Sequence, residues 1–375
     1  MNCFDTLGAD ELRGKRVFVR SDLNLPLNAE GEVADIFRLK RGWETIRALS
    51  ERGARVIVTS HIGRKPEETL APVARAIQQF GKVVFVPDIV GHVAHDAAFA
   101  MRDGDIILLE NLRRDPREVE NDDGFARELA GLAEVYVDDA FAAVHRAHAS
   151  IAGVPKYLPH YAGLLLRDEV RELDGARTPA APSFAILGGA KFETKAPLID
   201  SLLASHDHLF IVGALANDVF KARGLEVGIS LISKELPGGA VLDNPRFIAP
   251  VDVTVQGPDG QARVKKPQEV TANEKIVDIG PDSVAKVAPF IAAAKSILWN
   301  GPTGIFEEGF VSYTHAIAEL LAESEAKKVI GGGDTIAAIE SSAVPQEKLG
   351  FLSTGGGAML EYLLKGTLPG IEALA

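Results

Sequence analysis

One pattern recurs along the chain: a short β-branched run, a polar or glycine-rich loop, then apolar positions at helical spacing. Arg16-Val-Phe-Val-Arg20 reads as the first strand. Leu39, Trp43, Ile46 and Leu49 predict a helix over Arg38 to Arg52 that stops at Gly53. Val56–Thr59, Lys82–Val86, Asp105–Leu109 and Glu134–Val137 predict further strands, with a helix over Leu70 to Phe80 and alanine-rich helical stretches between the later ones. Tyr161 to Ala176 predicts a helix, followed by a boundary at Gly175-Ala-Arg-Thr-Pro-Ala-Ala-Pro182. The second half repeats the rule at Phe184–Leu187, Leu209–Val212, Ser296–Trp299 and Lys327–Ile330. Such alternation implies parallel strands with helices on both faces. The expected fold is therefore α/β, with two doubly wound, Rossmann-like parallel-sheet domains joined by a hinge helix. The expected divisions are 1–160, a hinge helix and linker over 161–182, a second domain over 183–358, and a C-terminal segment over 359–375.

The polar residues sit where such sheets bind ligands. Loops at the C-terminal ends of parallel strands share one edge, and ligands occupy that crevice. In the first half this edge collects Asp22, Asn24, His61, Arg64, Arg113 and Arg146, with Arg38 at the start of the first helix. Each arginine alone is compatible with a surface charge. Their common position after strands points to recognition of carboxylate or phosphate by planar guanidinium forks. His92/His95 and His145/His148 have an i, i+3 spacing that a metal could use, but neither has HExxH context or nearby cysteines.

Glycine dominates the corresponding loops of the second half. Gly188-Gly-Ala-Lys191, Gly213, Asn300-Gly-Pro-Thr-Gly304 and Gly331-Gly-Gly-Asp-Thr335 each follow a predicted strand, and Ser353-Thr-Gly-Gly-Gly-Ala358 follows a short strand-like apolar run that starts at Phe351. Without Cβ atoms a large anion can reach free N–H groups at the following helix start. Two such domains facing each other across a hinge would suit direct group transfer with water excluded. There is no GxxxxGK[ST], no GxGxxG, no protein-kinase signature and no G-x-S-x-G elbow.

Composition narrows the reading further. Net charge is −12 over 375 residues, which argues against nucleic acid or a membrane surface as the main partner. An anionic small molecule must then be drawn by a local basic cluster. A single cysteine, Cys3, excludes an internal disulfide and fits a reducing, cytoplasmic setting.

Taken together, these motifs resemble the phosphoglycerate kinase family nearly end to end. Val19-Arg-Ser-Asp-Leu-Asn-Leu-Pro26, Ser60-His-Ile-Gly-Arg64, Glu110-Asn-Leu-Arg113 and His145-Arg-Ala-His-Ala-Ser150 are similar to its N-terminal and substrate loops. The glycine loops and Trp299-Asn-Gly-Pro302 are similar to its nucleotide half, and Leu368-Pro-Gly-Ile-Glu-Ala-Leu374 to a tail that packs on the N-terminal domain. The resemblance implies reversible phosphoryl transfer between 1,3-bisphosphoglycerate with ADP and 3-phosphoglycerate with ATP, with Mg²⁺, by a monomer. It implies that Asp22, Asn24, Arg38, His61, Arg64, Arg113 and Arg146 hold the glycerate, with Arg38, Lys191 and Lys195 catalytic. It further implies nucleotide contacts from Gly188, Gly189, Lys191, Lys195, Gly213, Asn300, Pro302, Glu307, Gly332, Gly333, Asp334 and Thr335. Asp334 would hold the metal, and Gly355, Gly356 and Gly357 would line the phosphate path.

Departures from the family pattern fall near the adenosine pocket and the periphery. Val212-Gly-Ala-Leu-Ala216 replaces a glycine-rich strip, Arg114 a phenylalanine and Tyr313 a glycine. The loop after Arg64 is short, and Ser233 to Ala249 is too broken by Pro237 and Pro245 for a full helix. Two alternatives remain open at this point: a kinase for another phosphorylated carboxylic acid, with Arg114 setting the choice, or a binding paralogue without catalysis.

Overall fold

The structure is a computed structural model that describes residues 1–34 and 36–375. Its strands are β1 Arg16–Ser21, β2 Arg55–Thr59, β3 Val84–Val86, β4 Ile106–Leu109, β5 Val135–Asp139 and β6 His160–Ala162 in the first half. The second half contributes β7 Ser183–Leu187, β8 His208–Ile211, β9 Phe247–Ile248, β10 Val253–Gln256, β11 Ala262–Lys265 and β12 Lys275–Ile279. The series closes with β13 Ser296–Asn300, β14 Lys327–Gly331 and β15 Phe351–Ser353.

Contacts divide the chain into two compact units, Met1–Arg171 with Thr367–Ala375, and Glu172–Gly366. The division falls inside the helix Leu164–Arg177. The segment that begins at 359 is shared between the units. The helix Gly357–Lys365 belongs to the second, and only Thr367–Ala375 belongs to the first. There Gly370 N–H donates to Val144 O at 2.9 Å, and a Cβ on Gly370 would lie 2.7 Å from Ile151, so only glycine fits.

In the first unit a six-stranded sheet runs β3-β4-β2-β1-β5-β6, all parallel. Both faces of β1 are buried, as a parallel sheet requires. Val17 and Val19 join Val56 and Val58 against Leu39, Trp43, Ile46 and Leu49 of the helix Ile36–Glu51. On the other side Phe18 stacks on Tyr136 with ring centroids 5.8 Å apart. One expected boundary is corrected: Tyr161 lies in β6, paired with Val137, and the helix begins only at Leu164.

In the second unit a parallel sheet runs β15-β14-β13-β7-β8-β9. The chain reverses direction of strand addition between β7 and β13, the position where open α/β sheets bind ligands. A separate antiparallel sheet, β11-β10-β12, was not foreseen from the pattern. It packs Val253, Val255 and Ile276 against Ala216 and Phe220. Ser233 to Ala249 holds only a four-residue helix, Gly239–Leu242, before β9. No helix among the described residues is long and apolar enough to cross a membrane.

Candidate active site

The first unit gathers its charged residues around an arginine that pattern reading passed over. Arg20, the fifth residue of β1, is fully buried. A buried guanidinium needs partners for each nitrogen. Its Nε donates to Ser150 Oγ at 2.9 Å, one Nη to Ser21 O at 2.8 Å, and the other lies 2.9 Å from His61 Nδ1. Ser150 Oγ donates in turn to the equally buried Glu118 carboxylate at 2.6 Å. The only sequence sign of Arg20 was a charge ending an apolar strand. Glu118, in the short turn Pro116–Glu118, gave none.

The expected residues assemble around this pair. Asp22 is buried just past β1, and Asn24 Oδ1 accepts from Gly63 N–H at 2.9 Å. An Arg113 Nη donates to Gly63 O, and Arg146 Nε donates to His145 Nε2 at 3.1 Å. Asn111 ties two loops together, with its amide donating to Ile62 O at 3.0 Å and its Oδ1 accepting from Arg113 N–H at 3.1 Å. Arg64 is exposed, and Arg38 is half-buried in the first turn of Ile36–Glu51.

Guanidinium groups outnumber carboxylates in the cluster, and the Asp22 and Glu118 charges offset only part of the repulsion. Burial, then the Arg146 and Arg20 charges, push Arg113 down to about 10. Arg146 is lowered by burial, Arg20 and Arg64. Burial and the neighbouring arginines hold His61 well below its ordinary value, and His148 at about 4. Groups that depress one another in this way are relieved by a bound anion.

Arg114 does not join them. Its guanidinium meets Glu110 at 3.3 Å and donates to the carbonyls of Glu67 and Glu68, each at 3.3 Å. It braces the short loop after Arg64, which removes the ground for treating it as a substrate-selecting group. Among the described residues no group of three or more His, Cys, Asp or Glu side chains is placed to hold a metal, and His95 stacks on Phe99 at 4.2 Å.

In the second unit the glycine loops meet at the ends of β7 and β13. Gly301 takes φ +98° and lies so close to Gly188 that a Cβ would approach its backbone to 2.5 Å. Gly301 N–H donates to Thr335 Oγ1 at 2.7 Å, and Gly188 N–H to Asn300 O at 2.7 Å. Beside them opens a cavity of about 390 Å³ that Gly189, Gly213, Pro302, Glu307 and Asp334 help to line. Lys195 is half-buried near Gly189, and its ammonium is lowered by desolvation. Lys191 is exposed, in a left-handed conformation with φ 65° that caps the helix Phe192–Ser205. Gly188, Asn300, Gly332, Gly333 and Thr335 flank the cavity without lining it, as do the two lysines. Gly355, Gly356 and Gly357 follow the edge strand β15 outside it. A side chain added at Gly333, Gly356 or Gly357 would meet nothing within 4 Å, so these helix starts are open to a ligand.

Ala190, Thr303 and Gly304 of the expected motifs also line it, and much of the remaining wall comes from residues not foreseen. Leu231, Val253 and Ile276 supply apolar surface, and Lys275 and Asp278 polar groups. Burial raises Asp278 to about 7. Of the two replaced wall residues, Ala214 lines the cavity but Leu215 is buried in the core.

The comparisons with known proteins agree with this geometry. The phosphoglycerate kinase family model matches residues 7–366. The chain is 40% identical to the phosphoglycerate kinase of Streptomyces avermitilis, with all of both chains covered. It is 42% identical to that of Moorella thermoacetica, with 98% of each covered. Among solved structures, phosphoglycerate kinase from Coxiella burnetii superposes with a TM-score of 0.83 at 38% identity, covering 97% of this chain and 96% of that one. The Pyrococcus horikoshii enzyme gives 0.87 at 29% identity, covering 100% and 98%. A basic cluster on one sheet edge, a cavity beside glycine-rich loops on another and full-length relatives above 30% identity lead to one assignment: the chain belongs to the phosphoglycerate kinase family.

Proposed function

We propose that the two units divide the substrates of the family's reaction, with the acid on the first and the nucleotide on the second. The observation that carries this reading is the basic cluster, in which Arg113 and Arg146 are lowered by burial and then by neighbouring arginines, in a chain of net charge −12. Asp22, Asn24, His61, Arg64, Arg113 and Arg146 hold 3-phosphoglycerate. Gly188, Gly189, Gly213, Pro302 and Glu307 hold the nucleoside, and Asn300, Gly332, Gly333 and Thr335 its phosphates, with Gly355, Gly356 and Gly357 along the phosphate path. The chain works as a monomer in the cytoplasm, in keeping with the buried free thiol of Cys3, which burial pushes up to about 11.

The acid's carboxylate is already ionised at neutral pH, so transfer needs no general base. One of its oxygens attacks the γ-phosphorus of ATP. As that O–P bond forms, the bond to the β–γ bridging oxygen breaks, and ADP leaves with the electron pair. Arg38, Lys191 and Lys195 offset the charge on the moving group's oxygens. The exposed carboxylate of Asp334, in the first turn of Gly333–Glu340, suits Mg²⁺, which binds through one or two carboxylates plus substrate phosphates. When bound, the metal supplies neutralisation of the nucleotide phosphates.

A coupled assay of ATP-dependent phosphorylation, run with 3-phosphoglycerate and with other phosphorylated acids, tests the substrate assignment. The expected kcat/KM favours 3-phosphoglycerate by at least about a hundredfold. A higher value for another acid overturns it.

Base choice follows from the lining. The cavity is walled mainly by apolar groups such as Ala214, Leu231, Val253 and Ile276. Apolar walls discriminate weakly between ligands that differ in polar substituents. The kcat/KM ratio of ATP to GTP is expected within about tenfold. A ratio of thousands would show that a polar group reads the base edge.

A further inference from the structure

We propose that Arg20 is a positioning residue that holds His61 as the neutral imidazole with its proton on Nε2, so that the basic cluster offers the acid substrate a fixed N–H donor in place of a titrating cation. The argument begins with what arginine can do. A guanidinium has donors and no acceptor. The Arg20 Nη that lies 2.9 Å from His61 Nδ1 must therefore donate, and Nδ1 must present its lone pair. In a neutral ring this leaves the proton on Nε2. An imidazolium would set N–H against N–H.

The surroundings enforce the same state. Arg20 cannot swing away, because its other nitrogens donate to Ser150 Oγ and Ser21 O, and Ser150 is anchored to Glu118 through both its hydroxyl and its N–H. With every nitrogen engaged by protein and no exposed surface, Arg20 is not itself a substrate ligand. Burial is the largest influence that disfavours protonation of His61, and the charges of Arg20, Arg113, Arg146 and His148 act in the same direction. At the far side of the ring, Nε2 is buried and has no hydrogen-bond partner among the described residues. A buried donor without an acceptor is rare in folded proteins. In the middle of a cationic cluster the natural acceptor is a ligand oxygen.

This inference rests on the reading that the cluster binds 3-phosphoglycerate, yet the tautomer is measurable without ligand. Two-bond ¹H–¹⁵N spectra of ¹⁵N-histidine-labelled protein, with His61 assigned by its loss in His61→Gln, report both ring nitrogens. The expected result is a protonated Nε2 and a bare Nδ1 that do not titrate between about pH 5 and pH 8. Adding 3-phosphoglycerate should shift Nε2 and leave Nδ1 unprotonated. A proton on Nδ1, or a titration midpoint inside that range, overturns the lock. An unshifted Nε2 with the tautomer as expected refutes the substrate contact while leaving the lock established.

Variants separate positioning from mere structure. Arg20→Met removes the donor, whereas Arg20→Lys keeps one, and melting curves identify any variant that fails to fold. In folded Arg20→Met the KM for 3-phosphoglycerate at pH 8 should rise roughly tenfold over wild type, with kcat changed less than about threefold. Its KM ratio to wild type should fall as the pH is lowered and His61 becomes protonated. Arg20→Lys should keep a pH-independent ratio. Equal, pH-independent ratios in both variants overturn the proposal.

Discussion

Replacing Arg38 by alanine is expected to lower kcat by roughly 10³–10⁵-fold. The KM for 3-phosphoglycerate should move by less than about tenfold. The side chain lies half-buried in the first turn of Ile36–Glu51, the helix that follows β1. A cation that meets the phosphoryl group only during transfer lowers the barrier and leaves ground-state binding nearly unchanged. An arginine that held bound substrate would instead raise KM at constant kcat. A surface arginine would do neither. Steady-state kinetics with a melting curve distinguishes these outcomes, and a variant that keeps more than about a tenth of the wild-type kcat removes Arg38 from the catalytic role.

The next largest effect is expected at Gly301, from geometry and not charge. Its φ of +98° is strained for any L side chain, and an added Cβ would come within 2.5 Å of the Gly188 backbone. Nothing there is a flexible side-chain end that could yield, so the loops after β7 and β13 must separate. Gly301→Ala should then weaken the hydrogen bond to Thr335 Oγ1 and displace Pro302 from the cavity wall. Displacements near 1 Å cost on the order of 10²-fold in rate. The expected outcome is a loss of about that size in kcat/KM for ATP, with stability lowered by about 1–3 kcal/mol. The affinity for 3-phosphoglycerate, measured in the absence of nucleotide, should be unchanged. An alanine variant with wild-type nucleotide kinetics would show that the close approach of the two loops is dispensable.

Much of the parallel framework was legible because each strand is a short β-branched run closed by a loop of distinctive composition. The period and the punctuation agree, as at Val56–Thr59 before Ser60 and His61, or at Lys327–Ile330 before the glycines. Elements that lack one of the two signals were missed. β11 is an edge strand with no fully buried residue, Ala262-Arg-Val-Lys265, so it shows no apolar alternation. With it went the whole antiparallel sheet, and with the sheet went Lys275, Ile276 and Asp278 of the cavity wall. β6 is three residues long and runs straight into a helix whose apolar spacing absorbed Tyr161.

The site was legible where residue type alone states the chemistry. Arginines and glycines after strands are such cases. Arg20 and Glu118 act through a shared hydrogen-bonded partner, Ser150, which lies 130 residues from the one and 32 from the other, and sequence spacing carries no sign of that. Arg114 illustrates the converse. As a charge beside Arg113 it invites a substrate role, but the carboxylate of Glu110 and two loop carbonyls engage it first. Leu215, two residues after Gly213, likewise suggests an altered base pocket, whereas the start of the helix Ala214–Ala222 turns it into the core.

The division of substrates between the units is tested most directly by calorimetry on two single variants. Arg146→Ala and Asp334→Ala are each titrated with 3-phosphoglycerate and, separately, with Mg-ADP. The account predicts that Arg146→Ala loses at least about tenfold in affinity for the acid, as expected for a charged hydrogen-bonding group, and keeps nucleotide binding. Asp334→Ala should weaken Mg-ADP by a comparable factor and leave the acid untouched. If either variant lost both ligands equally, or if the losses were exchanged, the assignment of acid to the first unit and nucleotide to the second would be contradicted.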